Sequence, residues 1–223
     1  MQVIKKAVKE GRKALTEYEA KKVLRSYGIP TTREFLVHSQ KEAVEKAERL
    51  GYPVVLKGSG SQLLHKTELD VIRLNLKNAR EVREAFREIK KNAGDKLEGV
   101  LVQEMVKGER ELVIGLIKDP QFGPCVMFGL GGIYTEILRD VSFRVAPITQ
   151  QDAYQMMEEI RARKILDAVR GMAPADKKTL AKALVGLGRL GIDHPEIKEV
   201  DVNPLILTKK GKPIAVDALI VLE

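Results

Sequence analysis

Between Gly99 and Ile148 five short apolar segments follow one another with only turn residues between them. They are GVLVQEMV (99–106), ELVIGLIKD (111–119), PCVMFGL (124–130), YTEILRD (134–140) and SFRVAPI (142–148). Connections this short join antiparallel strands, so the run predicts a largely antiparallel sheet. No internal repeat or low-complexity tract accompanies it.

The chain before this run has a different texture. ALTEYEAKKVLRSY (14–27) carries apolar residues at helical spacing and stops at Gly28 and Pro30. TREFLVH (32–38) reads as a strand. Ser39 caps a helix that ends at Gly51, and Asn78 starts another that ends at Gly94. PVVLKG (53–58) and VIRLNL (71–76) read as strands between them. After Ile148 come two helical stretches, about 150–169 and about 176–190. The chain then closes on EIKEVDVNPLIL and PIAVDALIVL, two apolar strands joined by the turn TKKGK. The expected organisation is an α+β chain with a smaller lobe at 1–95 and a larger lobe at 96–223, and two lobes suggest a ligand cleft.

Composition narrows the function classes. The net charge is +8, yet most cations alternate with Glu, as in KEAVEKAERL, which is the texture of solvated helix faces. Aromatics make up only 4% and do not interleave with the cations, so the base-stacking platform of a nucleic-acid binder is missing. A phosphorylated small molecule suits the positive balance. The single Cys125 allows no internal disulfide and fits a reducing compartment. No signal-peptide run and no membrane-length apolar stretch occurs, so a cytoplasmic protein is expected, without membrane or nucleic-acid partners. Heavy Lys, Arg and Glu usage suits a thermophile.

Several positions carry possible chemistry. Lys57 ends PVVLK before GSGSQ, where it meets a phosphate or simply snorkels at a sheet edge. GLGGIYTEILRD (129–140) places Gly129, Gly131 and Gly132 after an apolar strand. Glycines let a backbone approach an anion, but a tight turn explains them equally, and neither a GK[ST] nor a dinucleotide pattern follows. In VDVNP, Asp201 and Asn203 are two apart on a strand and leave the same face. Asp217 lies in the companion segment AVDAL, and carboxylates inside an apolar strand are costly unless something pairs them. Two carboxylates and an amide oxygen are hard ligands suited to Mg²⁺. Glu104 and Glu111 flank the VKGER turn, where they read as exposed strand ends or as acceptors for ribose or adenine. Met105, Met127, Phe128 and Cys125 read as core. His65, in SQLLHKTELD, reads on its own as a solvated loop residue.

Taken in order, EYEAKKVLRSYGIP, PVVLKGSG…HKTE, VLVQEMV, DPQFGPCVMFGLGGIYTEILRDVSFRVAPI, RGMAPAD and EVDVNPL…VDALIVL resemble the beta subunits of ADP-forming acyl-CoA (acetyl-CoA) synthetases. These are ATP-grasp proteins of the succinyl-CoA-synthetase type, and the resemblance runs from about residue 14 to 222. It implies an ATP-grasp fold with ATP or ADP between two α+β lobes and Mg²⁺ at the phosphates. It casts Lys57 as the phosphate lysine, Glu104 as the residue near adenine and Glu111 as the ribose acid. The Gly129–Gly132 loop receives phosphates, Asn203 and Asp217 hold the metal, and Asp201 matches the neighbouring acidic position.

The resemblance gives His65 a role that its local sequence does not. It matches the histidine that carries a phosphoryl group from a CoA-binding alpha subunit to ADP. A relay is needed because two distant sites cannot share one in-line transfer. The chain shows no CoA-binding Rossmann pattern, so a separate alpha subunit is expected, as an α₂β₂ assembly by analogy. Two departures stand out. Leu69-Asp70 replaces a Gly pair found after HKTE in some members, and Leu219 stands where many carry a basic residue. The alternative enzyme reading is an ATP-grasp carboxylate–amine ligase working through an acyl phosphate, which would leave His65 without an essential part.

Overall fold

Side-chain caps fix where the helices start. Thr16 and Glu19 form a reciprocal capping box at the head of α2 (Glu17–Ser26). Ser39 accepts the Glu42 N–H ahead of α3 (Gln40–Leu50), and Asn78 accepts the Glu81 N–H ahead of α4 (Ala79–Ala93). Asp176 caps α6 (Lys177–Asp193) through Thr179. The computed structural model describes residues 1–61, 63, 69–132 and 140–223. Helix α1 (Gln2–Lys9), which buries Ile4 and Ala7, is not anticipated by the sequence reading.

The chain divides into two compact units, Thr32–Met105 and Met1–Thr31 with Val106–Glu223. The smaller unit holds a four-stranded sheet in the order β1 (Glu34–Val37), β4 (Gly99–Glu104), β2 (Val54–Ser59), β3 (Ile72–Leu76). All its pairings are antiparallel. Helices α3 and α4 supply Ala43, Ala47, Val82, Phe86 and Ile89 to a core completed by Leu56, Val100 and Val102. The larger unit holds β5 (Arg110–Asp119), β6 (Gly123–Leu130), β7 (Val141–Val145), β8 (Ile197–Leu207) and β10 (Leu219–Leu222) in the order β10-β8-β5-β6-β7. The short β9 (Pro213–Ala215) joins the edge of β8. Leu112, Ile114, Leu116, Val126 and Phe128 share a core with α5 (Gln150–Glu159) and α6.

Three expectations change. The segment 99–106 does not open the larger sheet; β4 lies between β1 and β2, which moves the division from 95/96 to 105/106 and gives the N-terminal 31 residues to the larger unit. The helix expected over 150–169 ends at Glu159, because Ile160 is extended and the Arg161 and Ala162 N–H groups turn to the Asp140 carboxylate at 2.7 Å each. The strand PIAVDALIVL is broken: β9 stops at Ala215 and β10 begins at Leu219. The strand expected at 134–140 falls, except for Asp140, outside the described residues. Among the described residues no helix is long and apolar enough to cross a membrane.

Candidate functional site

Strand β5 runs through the middle of the larger sheet and sets the geometry of the site. On one side it pairs with β8, with Gly115 opposite Asp201, Ile114 opposite Val202 and Leu112 opposite Leu205. The register shifts between Leu112 and Ile114, so Val113 alone faces the Asn203–Pro204 step. Such a bulge re-aims side chains at the point where pairing is interrupted. Asp201 and Asn203 remain two residues apart, and both are half-buried.

On the other side β5 pairs with β6, Leu112 opposite Leu130 and Val113 opposite Gly129. The glycine stretch continues from there. Gly131 donates its N–H to the Glu111 carbonyl at 2.9 Å, and Gly132 donates to Asn203 Oδ1 at 3.3 Å. Gly132 has φ +66°, and a Cβ there would lie 2.3 Å from Glu111 Oε2. A Cβ on Gly131 would strike the Leu112 carbonyl at 2.5 Å, and one on Gly129 the Asp140 carbonyl at 2.6 Å. All three glycines are required by close approach, and Gly132 by its backbone conformation as well. Glu111, the glycine loop and Asn203 are thereby brought together.

Asp217 reaches the same face by an unexpected route. It sits in the gap between β9 and β10, not in a paired strand. The register is the same on both sides of the gap, Ala215 opposite Leu205 and Leu219 opposite Asp201, so Asp217 lies level with Asn203. Its Oδ1 accepts the Ala218 N–H at 2.9 Å. The Asp201 carboxyl is pushed up to about 6, first by burial and then by the negative charges of Glu199 and Asp217.

Two carboxylates and an amide oxygen are hard donors that fit Mg²⁺. Among the described residues no three His, Cys, Asp or Glu side chains gather to hold a metal by themselves. The set therefore suits an ion that takes its remaining ligands from water and phosphate oxygens, which is how Mg²⁺ is commonly held.

The smaller unit carries Lys57 and Glu104. Lys57 is buried on β2, with Ile72 and Leu101 opposite, so it is not an exposed edge lysine. Glu104 ends β4 next to the unit boundary, and its carboxylate accepts the Arg33 N–H at 2.8 Å and Arg33 Nε at 2.7 Å. Arg33 is a partner that sequence reasoning missed. His65 lies outside the described residues, but both flanks of its segment are tied. Ser61 N–H and Oγ donate to Glu98 Oε1 at 2.8 and 2.5 Å. Asp70, at φ +49°, accepts from Arg73 at 2.8 and 3.0 Å, and its carbonyl accepts from Asn92 at 3.0 Å. An Asp in the left-handed region is tolerated where its side chain bonds locally.

Of the remaining candidates, Phe128 is fully buried as expected, whereas Met105, Met127 and Cys125 are half-buried. Burial, then the Asp119 charge, raises the Cys125 thiol above its ordinary range, away from reactivity.

The geometry has clear relatives. The chain matches the model of the ATP-grasp domain over residues 6–222. It is 46% identical to the Pyrococcus furiosus acetate–CoA ligase [ADP-forming] I subunit beta, over 99% of this chain and 97% of that one. A solved acetyl-coenzyme A synthetase 1 of Ca. Korarchaeum cryptofilum, in complex with coenzyme A, Ca-AMPCP and HgCl+, superposes with a TM-score of 0.94 at 47% identity, covering 100% of this chain and 99% of that one. A further structure of that protein, with coenzyme A and Mg-AMPPCP, is described with its phosphohistidine segment pointing towards the nucleotide binding site; the TM-score is 0.87 at 45% identity, over 100% and 99% of the two chains.

Proposed function

Because the chain belongs to the ATP-grasp family, among the beta subunits of ADP-forming acetate–CoA ligases, we propose that it is the nucleotide-binding subunit of such an enzyme. In this reading acyl-CoA, ADP and phosphate are converted to acid, ATP and CoA. A CoA-binding alpha subunit completes the enzyme, in an α₂β₂ assembly. The phosphoryl group travels on His65 from the partner's site to ADP. A neutral imidazole can accept a phosphoryl group and release it again, which suits a carrier between separate sites.

The observation that carries the proposal is the convergence of Glu111, the Gly131–Gly132 turn, Asn203 and Asp217 on one face of the larger unit. In this reading the Lys57 ammonium binds phosphate oxygens, the glycine loop lies beside them without side chains in the way, and Glu111 accepts from the ribose. Glu104 stands for the adenine end, oriented by Arg33. Asn203 and Asp217 would hold Mg²⁺, which supplies charge neutralisation at the phosphates when bound. Asp201 adds the acidic wall beside them. In phosphoryl transfer of this kind the protein contributes mainly positioning and electrostatic stabilisation.

The test mixes the chain with its alpha partner, acyl-CoA, phosphate and Mg-ADP and follows ATP formation. His65→Ala is expected to abolish ATP formation while leaving ADP binding intact. Undiminished ATP formation by that variant would remove the relay from the proposal.

A further inference from the structure

We propose that Lys21 is a positioning residue for Asp217: from the core of the larger unit it holds the Val216 carbonyl and so fixes the break in the ladder from which Asp217 projects. The inference rests on the reading of Asp217 as a magnesium ligand.

A fully buried lysine needs a reason. Lys21 and Glu17, one turn apart on α2, form an ion pair at 2.8 Å with both side chains at 0% exposure. Such a pair is a poor source of stability, because desolvation offsets its attraction and an apolar pair of similar volume packs as well. What an apolar pair cannot supply is the next contact. Lys21 Nζ donates to the Val216 carbonyl at 2.9 Å, across 195 residues of chain.

That carbonyl is special for a reason visible in the ladder. The register on both sides of the β9–β10 gap sets Val216 opposite Pro204. Val216 donates its N–H to the Pro204 carbonyl at 3.2 Å, as a hydrogen-bonded antiparallel pair requires. The return bond cannot form, because proline has no N–H. Lys21 supplies the donor that Pro204 lacks. The peptide joining Val216 to Asp217 is planar, so an ammonium on its oxygen and the Val216 N–H on Pro204 together set the direction in which the Asp217 backbone departs. The Ala218 N–H at 2.9 Å then orients the carboxylate. The buried pair thus substitutes for a strand bond behind a proposed metal ligand.

The experiment uses the full chain with ADP, and Mn²⁺ as the probe for Mg²⁺, reading bound Mn²⁺ by the loss of its free spin-resonance signal. Glu17→Gln/Lys21→Met removes both charges at similar volume, Glu17→Gln keeps the Lys21–Val216 bond, and Asp217→Asn removes the ligand. Supporting partners of metal ligands typically matter by 10- to 100-fold, so the double variant is expected to melt cooperatively and bind Mn²⁺ about tenfold more weakly. Its affinity for metal-free ADP should be unchanged, and Glu17→Gln should bind Mn²⁺ like the parent. Parental Mn²⁺ affinity in the double variant, with Asp217→Asn weakened, overturns the role of Lys21 and leaves Asp217 a ligand. Parental affinity in Asp217→Asn overturns the ligand reading and this inference with it. An equal loss of metal-free ADP binding in the double variant marks general loosening and also overturns it. Should the double variant not fold, Glu17→Leu/Lys21→Met takes its place under the same criteria.

Discussion

The Gly132 N–H donates to Asn203 Oδ1 at 3.3 Å, joining two segments 71 residues apart in the chain. One end of this bond is the glycine turn that follows β6, and the other is the bulge in β8. Both are anchored on β5, which carries Glu111 beside the same turn.

Gly132→Ala tests the turn. The new methyl group would meet Glu111 Oε2 at 2.3 Å in a backbone at φ +66°. A left-handed non-glycine residue costs about 1–2 kcal/mol. Moving Glu111 as well should weaken ADP binding at least several-fold by titration calorimetry. Gly123→Ala, at φ +75° with nothing within 4 Å of its Cβ, should lower the melting temperature without changing ADP affinity.

Asp201→Asn should stabilise the metal-free chain at neutral pH. The folded carboxyl keeps its proton up to about 6, while its ordinary value is 3.8. Between those values the folded state binds more protons than the unfolded one, so stability falls as pH rises through this window. At 1.36 kcal/mol per unit, the asparagine should recover about 1–3 kcal/mol above pH 7, visible as a higher melting temperature. Below pH 4 the two proteins should melt alike.

Glu19 has the opposite sign. Burial by itself would raise its carboxyl, but bonds from Arg12 at 2.7 and 3.0 Å and from Thr16 outweigh that and leave it below its ordinary 4.5. Its contribution is complete above 4.5 and is lost as pH falls through the lowered folded value. Glu19→Gln should therefore lower the melting temperature at pH 7 and flatten the acid limb. Glutamine can keep the capping contact with Thr16, so the loss is that of the Arg12 ion pair, about 1 kcal/mol, or roughly 2–4 °C for a chain of this size. An acid limb as steep as the parent's would contradict this assignment.

Arg73→Ala should act on the proposed relay and spare the nucleotide. The guanidinium holds Asp70 on one flank of the segment carrying His65, and Asn92 holds it from a second side. Losing the guanidinium should lower the rate of ATP formation in the assembled enzyme several-fold with little change in ADP affinity. Equal losses in both measurements would assign Arg73 to the stability of its unit instead.

Local chemistry determined much of this protein from sequence alone. Ser39, Asn78 and Asp176 satisfy helix N–H groups three residues on, so these helix starts are readable without tertiary knowledge. The spacing of Asp201 and Asn203 likewise puts both on one face by strand period alone. Tertiary structure decided what depends on distant partners. GVLVQE is buried at five of its six positions, and a strand so apolar fits either sheet; only its pairing with β1 and β2 assigns it to the smaller one. VDAL reads as continuous strand, yet Pro204 on the neighbouring strand denies Val216 a ladder bond. The ladder opens at Asp217, and a lysine from the first part of the chain completes it. A missing N–H at one residue has its consequence on another strand, which the order of residues along the chain does not disclose.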